Sequence, residues 1–200
     1  MTEWLDVPRE TLERLKIYEL LLHKWTSKIN LVSPGSLQDV WVRHFEDSRQ
    51  IHDVAPTSGK WCDLGSGGGF PVMVVAILSR TECPDREFSL IESDQRKAAF
   101  LRTVARETGV NCQVFADRIE NLAPLQADIL TARGLAHLDK LLEYAHRHMR
   151  SDGVAILPKG KTWQAELETA RTKWSFSCQS VTSRTEPTAA ILKISGIKRV

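Results

Sequence analysis

The sequence predicts an α/β protein: a mostly parallel sheet with helices on both faces, an antiparallel last strand and an N-terminal helical extension. Three observations carry this reading. From residue 59 onward, short apolar runs alternate with helix-period segments, the pattern of βαβ units. A glycine-rich turn, "CDLGSGGGFP" at residues 62–71, separates the first apolar run from the first helical one. Near the C-terminal end, "SFSCQSVTS" and "AAILKISG" follow each other with no helix between them, which reads as an antiparallel finish.

The elements follow in order. Leu12, Leu15, Tyr18, Leu22, Trp25 and Ile29 recur at three- and four-residue steps and predict an amphipathic helix. A second helix is expected after Ser36 as N-cap, with Leu37, Val40, Trp41, His44, Phe45, Ser48 and Ile51 on one stripe. "APTSG" at residues 55–59 breaks that rhythm. Residues 1–55 therefore read as a helical extension packed on a core of residues 56–200, one compact unit overall. Strands are expected at "KWCDLG", "EFSLIE", "NCQVFA", "QADILTA" and "GVAILP". Helices are expected at "FPVMVVAILSR", "DQRKAAFLRTVARETG", "LDKLLEYAHRHM" and "TWQAELETARTKW".

A chain of 200 residues, 42% hydrophobic and 26% charged, fits one soluble globular domain. No apolar run is long enough to span a bilayer, and the acidic, amphipathic start resembles neither a signal nor a transit peptide. The expected location is cytoplasmic, with no membrane partner. Cys62, Cys83, Cys112 and Cys178 are widely spaced, which argues against a zinc knuckle or a disulfide framework and leaves buried thiols. The formal net charge is only +2, yet residues 147–200 hold ten Lys/Arg against four Asp/Glu. That asymmetry suits a polyanionic partner or a solvated basic face.

In a doubly wound sheet, ligands sit beyond the carboxyl ends of the strands, beside the first βα turn. Gly65, Gly67 and Gly69 allow the backbone to turn sharply and meet a ligand with no Cβ in the way. Asp63 stands directly behind them, and Glu92 closes the strand "FSLIE" 23 residues after Gly69, placed to accept from ribose hydroxyls. The pattern admits NAD. Two details favour S-adenosylmethionine (SAM): an acid leads into the turn in place of an apolar residue, and Pro71 at the helix opening removes an N–H from any pyrophosphate site.

Seven further motifs accompany that turn: "HKWTSKINLVS" (23–33), "RHFEDS" (43–48), "ESDQRKAAFLR" (92–102), "DRIENL" (117–122), "TARGLAHLDKLL" (131–142), "LPKG" (157–160) and "TEPTAAILK" (185–193). With "DLGSGGGFP", the first six resemble the RsmG (GidB) family, bacterial methyltransferases acting on N7 of a guanine in 16S ribosomal RNA. The resemblance implies a Rossmann-like class I SAM-dependent methyltransferase fold, SAM as cofactor, and the small ribosomal subunit as partner of a monomer. A SAM-dependent methyltransferase for a small molecule or protein is the alternative. A nucleotide-binding module without catalysis is a third reading, from a different class.

Carried over by position, the family's SAM contacts fall on Gly65, Phe70, Ile119, Glu120 and Arg133. Arg133 is expected to act by positioning, with no general base, because guanine N7 carries no proton. Alignment of the base is then the main requirement. Lys97, Lys159 and Lys161 are the candidate RNA-binding residues. The chain departs from the family at Val72, where glycine is usual after the loop proline, and at Gly134, where alanine is usual. It departs again at Pro187 and Thr188, which stand where a basic residue and a histidine are usual. His44, Asp47 and Ser48, at helical neighbour spacing, read as a trio pinning the N-terminal helices to the core, or as part of a lid over the base. His146 and His148 have no third ligand nearby, and no metal site is expected.

Overall fold

A computed structural model describes residues 7–200; residues 1–6, the start of the acidic amphipathic stretch, lie outside the described residues. Seven strands, β1 (Gly59–Leu64), β2 (Arg86–Ile91), β3 (Cys112–Phe115), β4 (Ala127–Ala132), β5 (Met149–Lys159), β6 (Trp174–Thr182) and β7 (Ala190–Arg199), form one sheet. Their order is β3-β2-β1-β4-β5-β7-β6. β1 to β5 pair in parallel, whereas β7 lies antiparallel between β5 and β6. The chain leaves β1 for β2 on one side and returns to β4 on the other. The reversal of order therefore falls at the carboxyl end of β1.

Register then decides what meets there. Leu64 pairs with Ile91 of β2 and with Ala132 of β4, so Gly65, Glu92 and Arg133 each stand one residue beyond adjacent strand ends. Side-chain alternation divides the core in two. Trp61, Phe88, Leu90, Ile129 and Ile156 face one cluster; Cys62, Leu64, Ile91, Leu130, Ala155 and Leu157 face the other.

The first face is covered by α1 (Arg9–Thr26), α3 (Asp47–Val54), α4 (Val72–Glu82) and α5 (Gln95–Thr108). The second is covered by α6 (Leu138–His148) and α7 (Trp163–Arg171). In α4 every residue from Val72 to Ser79 is buried, because α1 and α3 pack on the side turned away from the sheet. Its all-round apolar sequence is the matching signature. α5 begins where Asp94 accepts from the amides of Arg96 (2.8 Å) and Lys97 (3.3 Å).

Three boundaries differ from expectation. The second helix is capped by Ser33, whose Oγ accepts from the Ser36 amide at 3.3 Å, with Pro34 opening α2 (Pro34–Gln38). Ser36 lies one turn inside. The single stripe through Ile51 is divided into α2, a π-helical stretch (Trp41–Glu46) and α3. The helix expected from Phe70 starts at Val72, after a cis Phe70–Pro71 peptide.

Candidate active site

The glycine turn is held from both sides. Ser66 donates its amide to the Ile91 carbonyl (3.0 Å), and Gly67 donates its amide to Glu92 Oε2 (2.8 Å). Glu92 Oε1 accepts from the Asp94 amide at 2.8 Å. Glu92 thus ties the turn to the start of α5 and keeps lone pairs on both oxygens. From the other side, the Tyr18 hydroxyl of α1 donates to the Gly68 carbonyl. Burial raises the Tyr18 pKa well above its ordinary value, so the donor proton stays in place. Gly69 has φ +91°, and a Cβ there would lie 2.6 Å from Tyr18 Oη. No other residue type fits that approach.

Asp63 forms the floor. It is 1% exposed, and its Oδ1 accepts from Thr131 Oγ1 at 2.6 Å. Thr131 Oγ1 in turn accepts from the Trp61 indole N–H at 2.9 Å. Asp63 Oδ2 is buried without a hydrogen-bond partner. Burial, opposed by the Thr131 and Ser66 hydroxyls and the Arg133 charge, pushes its carboxyl up to about 7. A buried unpaired carboxylate oxygen is costly unless a donor arrives. The ammonium of an amino-acid cofactor is such a donor. Glu92 with open lone pairs, a turn whose Gly65 and Gly67 carry no Cβ and this orphaned oxygen therefore fit SAM.

The roof carries Arg133. Its guanidinium lies 4.9 Å from the Phe70 ring centroid, donates to Asp47 Oδ2 (3.2 Å) and donates through Nη2 to His44 Nδ1 (2.9 Å). Burial first, then the Arg133 charge, lowers the His44 pKa to about 4, so the ring is neutral at pH 7. Since Nδ1 accepts, the ring proton is on Nε2 and is donated to Ser36 Oγ (3.0 Å). His44 also stacks on Phe70 with centroids 4.6 Å apart. Asp47 Oδ1 accepts from Gln50 Nε2 and from Thr185 Oγ1, each at 2.9 Å. Two residues of the N-terminal helices thus hold an arginine 86 and 89 positions away. Local spacing draws attention to His44 and Asp47 but contains nothing that names Arg133 as their partner.

The other expected positions are placed unevenly. Phe70 is buried among Tyr18, Phe45 and His44, which leaves its backbone to face the site. Ile119 and Glu120 form a 3-10 turn after β3. His148, wholly buried, reaches the Ile119 carbonyl through Nε2 at 3.1 Å, and the Glu120 carboxylate accepts from the Tyr144 hydroxyl. Lys161 is exposed and Lys97 half-buried. Lys159 differs: its side chain is 10% exposed, and its ammonium pairs with Glu166 (2.6 Å) and the Ala136 carbonyl (3.1 Å). Its charge serves to fasten β5 to α7. Among the described residues no His, Cys, Asp or Glu cluster could hold a metal ion, and no helix is long and apolar enough to cross a membrane. All four cysteines are free, and burial raises the Cys62 thiol.

The family model described as GidB, rRNA small subunit methyltransferase G, matches residues 11–191. A "Ribosomal RNA small subunit methyltransferase G" of Ruegeria pomeroyi is 55% identical over 196 residues, 98% of this chain and 96% of the relative. One of Gluconobacter oxydans is 46% identical, covering 97% of this chain and 98% of the relative. Among solved structures, M. jannaschii TYW2 in complex with AdoMet superposes with TM-score 0.60 at 12% identity, covering 88% of this chain and 80% of that one. A SAM-dependent methyltransferase from Aquifex aeolicus gives TM-score 0.60 at 11% identity, covering 82% and 98%. The fold is the Rossmann-like class I methyltransferase fold.

Proposed function

This chain belongs to the rRNA small subunit methyltransferase G (GidB) family, and from that premise we propose that it methylates N7 of a guanine in 16S rRNA, with SAM as methyl donor. The observation that carries the reading is the register that sets Gly65, Glu92 and Arg133 side by side above the unpaired oxygen of Asp63. Asp63 would meet the cofactor's ammonium, Glu92 its ribose, and the backbone around Gly65, Gly67, Phe70, Ile119 and Glu120 the remainder.

When bound, SAM supplies a sulfonium methyl group, which the unprotonated lone pair of guanine N7 can accept without a general base. The chain's own task is alignment and exclusion of water. Arg133, held by His44 and Asp47 and lying over Phe70, is a rigid cation at the strand-end crevice. It is suited to orienting the base and stabilising the phosphate or carboxylate beside it. Lys161 and Lys97 supply backbone phosphate contacts that weaken with salt. In this reading residues 1–55 are the helical extension and 56–200 the methyltransferase domain of one unit, a monomer in the cytoplasm.

The test is SAM-dependent methylation of isolated small subunits from a deletion strain, mapped by borohydride–aniline scission at 7-methylguanine. Full N7 methylation in the deletion strain would reject the proposal, as would label going only to protein or to small molecules.

A further inference from the structure

Beside Arg133 the crevice opens into a cavity of about 310 Å³. Its walls come from the π-helical stretch, the end of β5 and the turn between β6 and β7 (residues 183–189). That is at the small end of ligand pockets, with room for one purine. Most charged groups on its walls are already committed. Arg133 is bonded to Asp47 and His44, Asp47 also to Thr185, and Lys159 to Glu166. Two are not. Arg43 is exposed, and its guanidinium makes no hydrogen bond or ion pair among the described residues. Glu186 uses only Oε1, accepting from the Thr188 amide (3.2 Å) and hydroxyl (2.9 Å). Those bonds, with the nearby Arg43 charge, lower its pKa and keep it ionised.

A guanine presents one acceptor, O6, beside two donors, N1–H and N2–H₂, along its Watson–Crick edge. The complement is one donor followed by two acceptors. We propose that Arg43 and Glu186 read this edge, Arg43 donating to O6 and the Glu186 carboxylate accepting from N1–H and N2–H₂. The inference rests on the guanine-N7 reading above. With that edge engaged, the adjoining Hoogsteen edge, bearing N7 beside O6, is left free for the methyl donor. Adenine is rejected twice: its N6–H₂ donor meets a donor, and its N1 acceptor meets a carboxylate. Asp47 and Arg133, bonded to each other, form the fixed frame against which the reading pair works.

The experiment uses small subunits reconstituted with 16S RNA carrying guanine or inosine at the mapped position. Inosine keeps N7, O6 and N1–H but lacks the N2 amino group. The wild-type protein is expected to prefer guanine about 10-fold or more in kcat/KM. Glu186→Ala should lower kcat/KM on guanine about 10- to 100-fold, leave SAM affinity unchanged and bring the guanine/inosine ratio towards one. Arg43→Ala should slow both substrates alike, because both keep O6. An unchanged guanine/inosine ratio in Glu186→Ala, or a wild type indifferent to inosine, overturns this inference while guanine-N7 methylation stands. A wild type that methylates no guanine in the subunit overturns the parent reading as well.

Discussion

Asp63 brings a carboxylate to the floor of the site with one oxygen bonded to Thr131 and the other bonded to nothing. With its carboxyl pushed up to about 7 by burial, the folded state holds a proton that the unfolded chain, near the ordinary value of about 3.9, has released. Stability without cofactor therefore falls as pH rises from about 4 to about 7, by at most about 1.4 kcal/mol per pH unit from this group. Asp63→Asn removes that dependence. Urea unfolding at pH 5 and pH 8 should show the variant gaining on the wild type at the higher pH. Calorimetry should show SAM binding weakened about tenfold or more, since a charge-assisted bond is lost. Identical pH slopes in the two proteins would remove Asp63 as a buried acid.

Among the elements, α1 matters most for the glycine turn, because Tyr18 donates to the Gly68 carbonyl and stacks on Phe70 and Phe45. Tyr18→Phe keeps the stacking and deletes the donor. It should cost about 1–3 kcal/mol in urea unfolding and weaken SAM binding, since a buried carbonyl in the turn is left unpaired. A fully stable variant would show the turn to be independent of α1. The elements themselves were largely legible. Strands buried on both faces read as continuous apolar runs, and the order of turn, helix and acid around Gly65 and Glu92 follows from local chemistry. The π-helical stretch was not legible: one apolar stripe through Val40, Trp41, Phe45 and Ile51 is compatible with an unbroken helix. Nor was the link of His44 and Asp47 to Arg133, which β-sheet register creates across nearly half the chain. The Lys159–Glu166 pair was not legible either, because Glu166 is brought to it by the packing of α7 and by no local motif.

At the scale of the molecule, the basic C-terminal quarter is less uniform than its charge count suggests. Arg150 pairs with Asp128 and Asp152, Lys173 with Asp139, and Arg184 with Asp53 and Glu46, so part of the excess is internal. Two lysines two residues apart should therefore behave oppositely. Lys161→Ala should leave stability unchanged and reduce the salt dependence of subunit binding by about one charge. Lys159→Ala should cost roughly 1–3 kcal/mol, because it takes the paired ammonium from the largely buried Glu166 carboxylate and leaves it the neutral donors Leu138 N–H and Thr162 O–H. Binding isotherms at several salt concentrations and urea midpoints separate the two, and equal salt slopes for both variants would contradict the assignment. The Trp61–Thr131–Asp63 chain has one more consequence, for observing the protein at work. The indole of Trp61 belongs to the core beneath the first-face helices, yet it is two hydrogen bonds from the Asp63 carboxylate, whose other oxygen has no hydrogen-bond partner. A fluorine label on that indole would make the hydrophobic core itself an antenna, its resonance shifting each time the floor of the site changes charge.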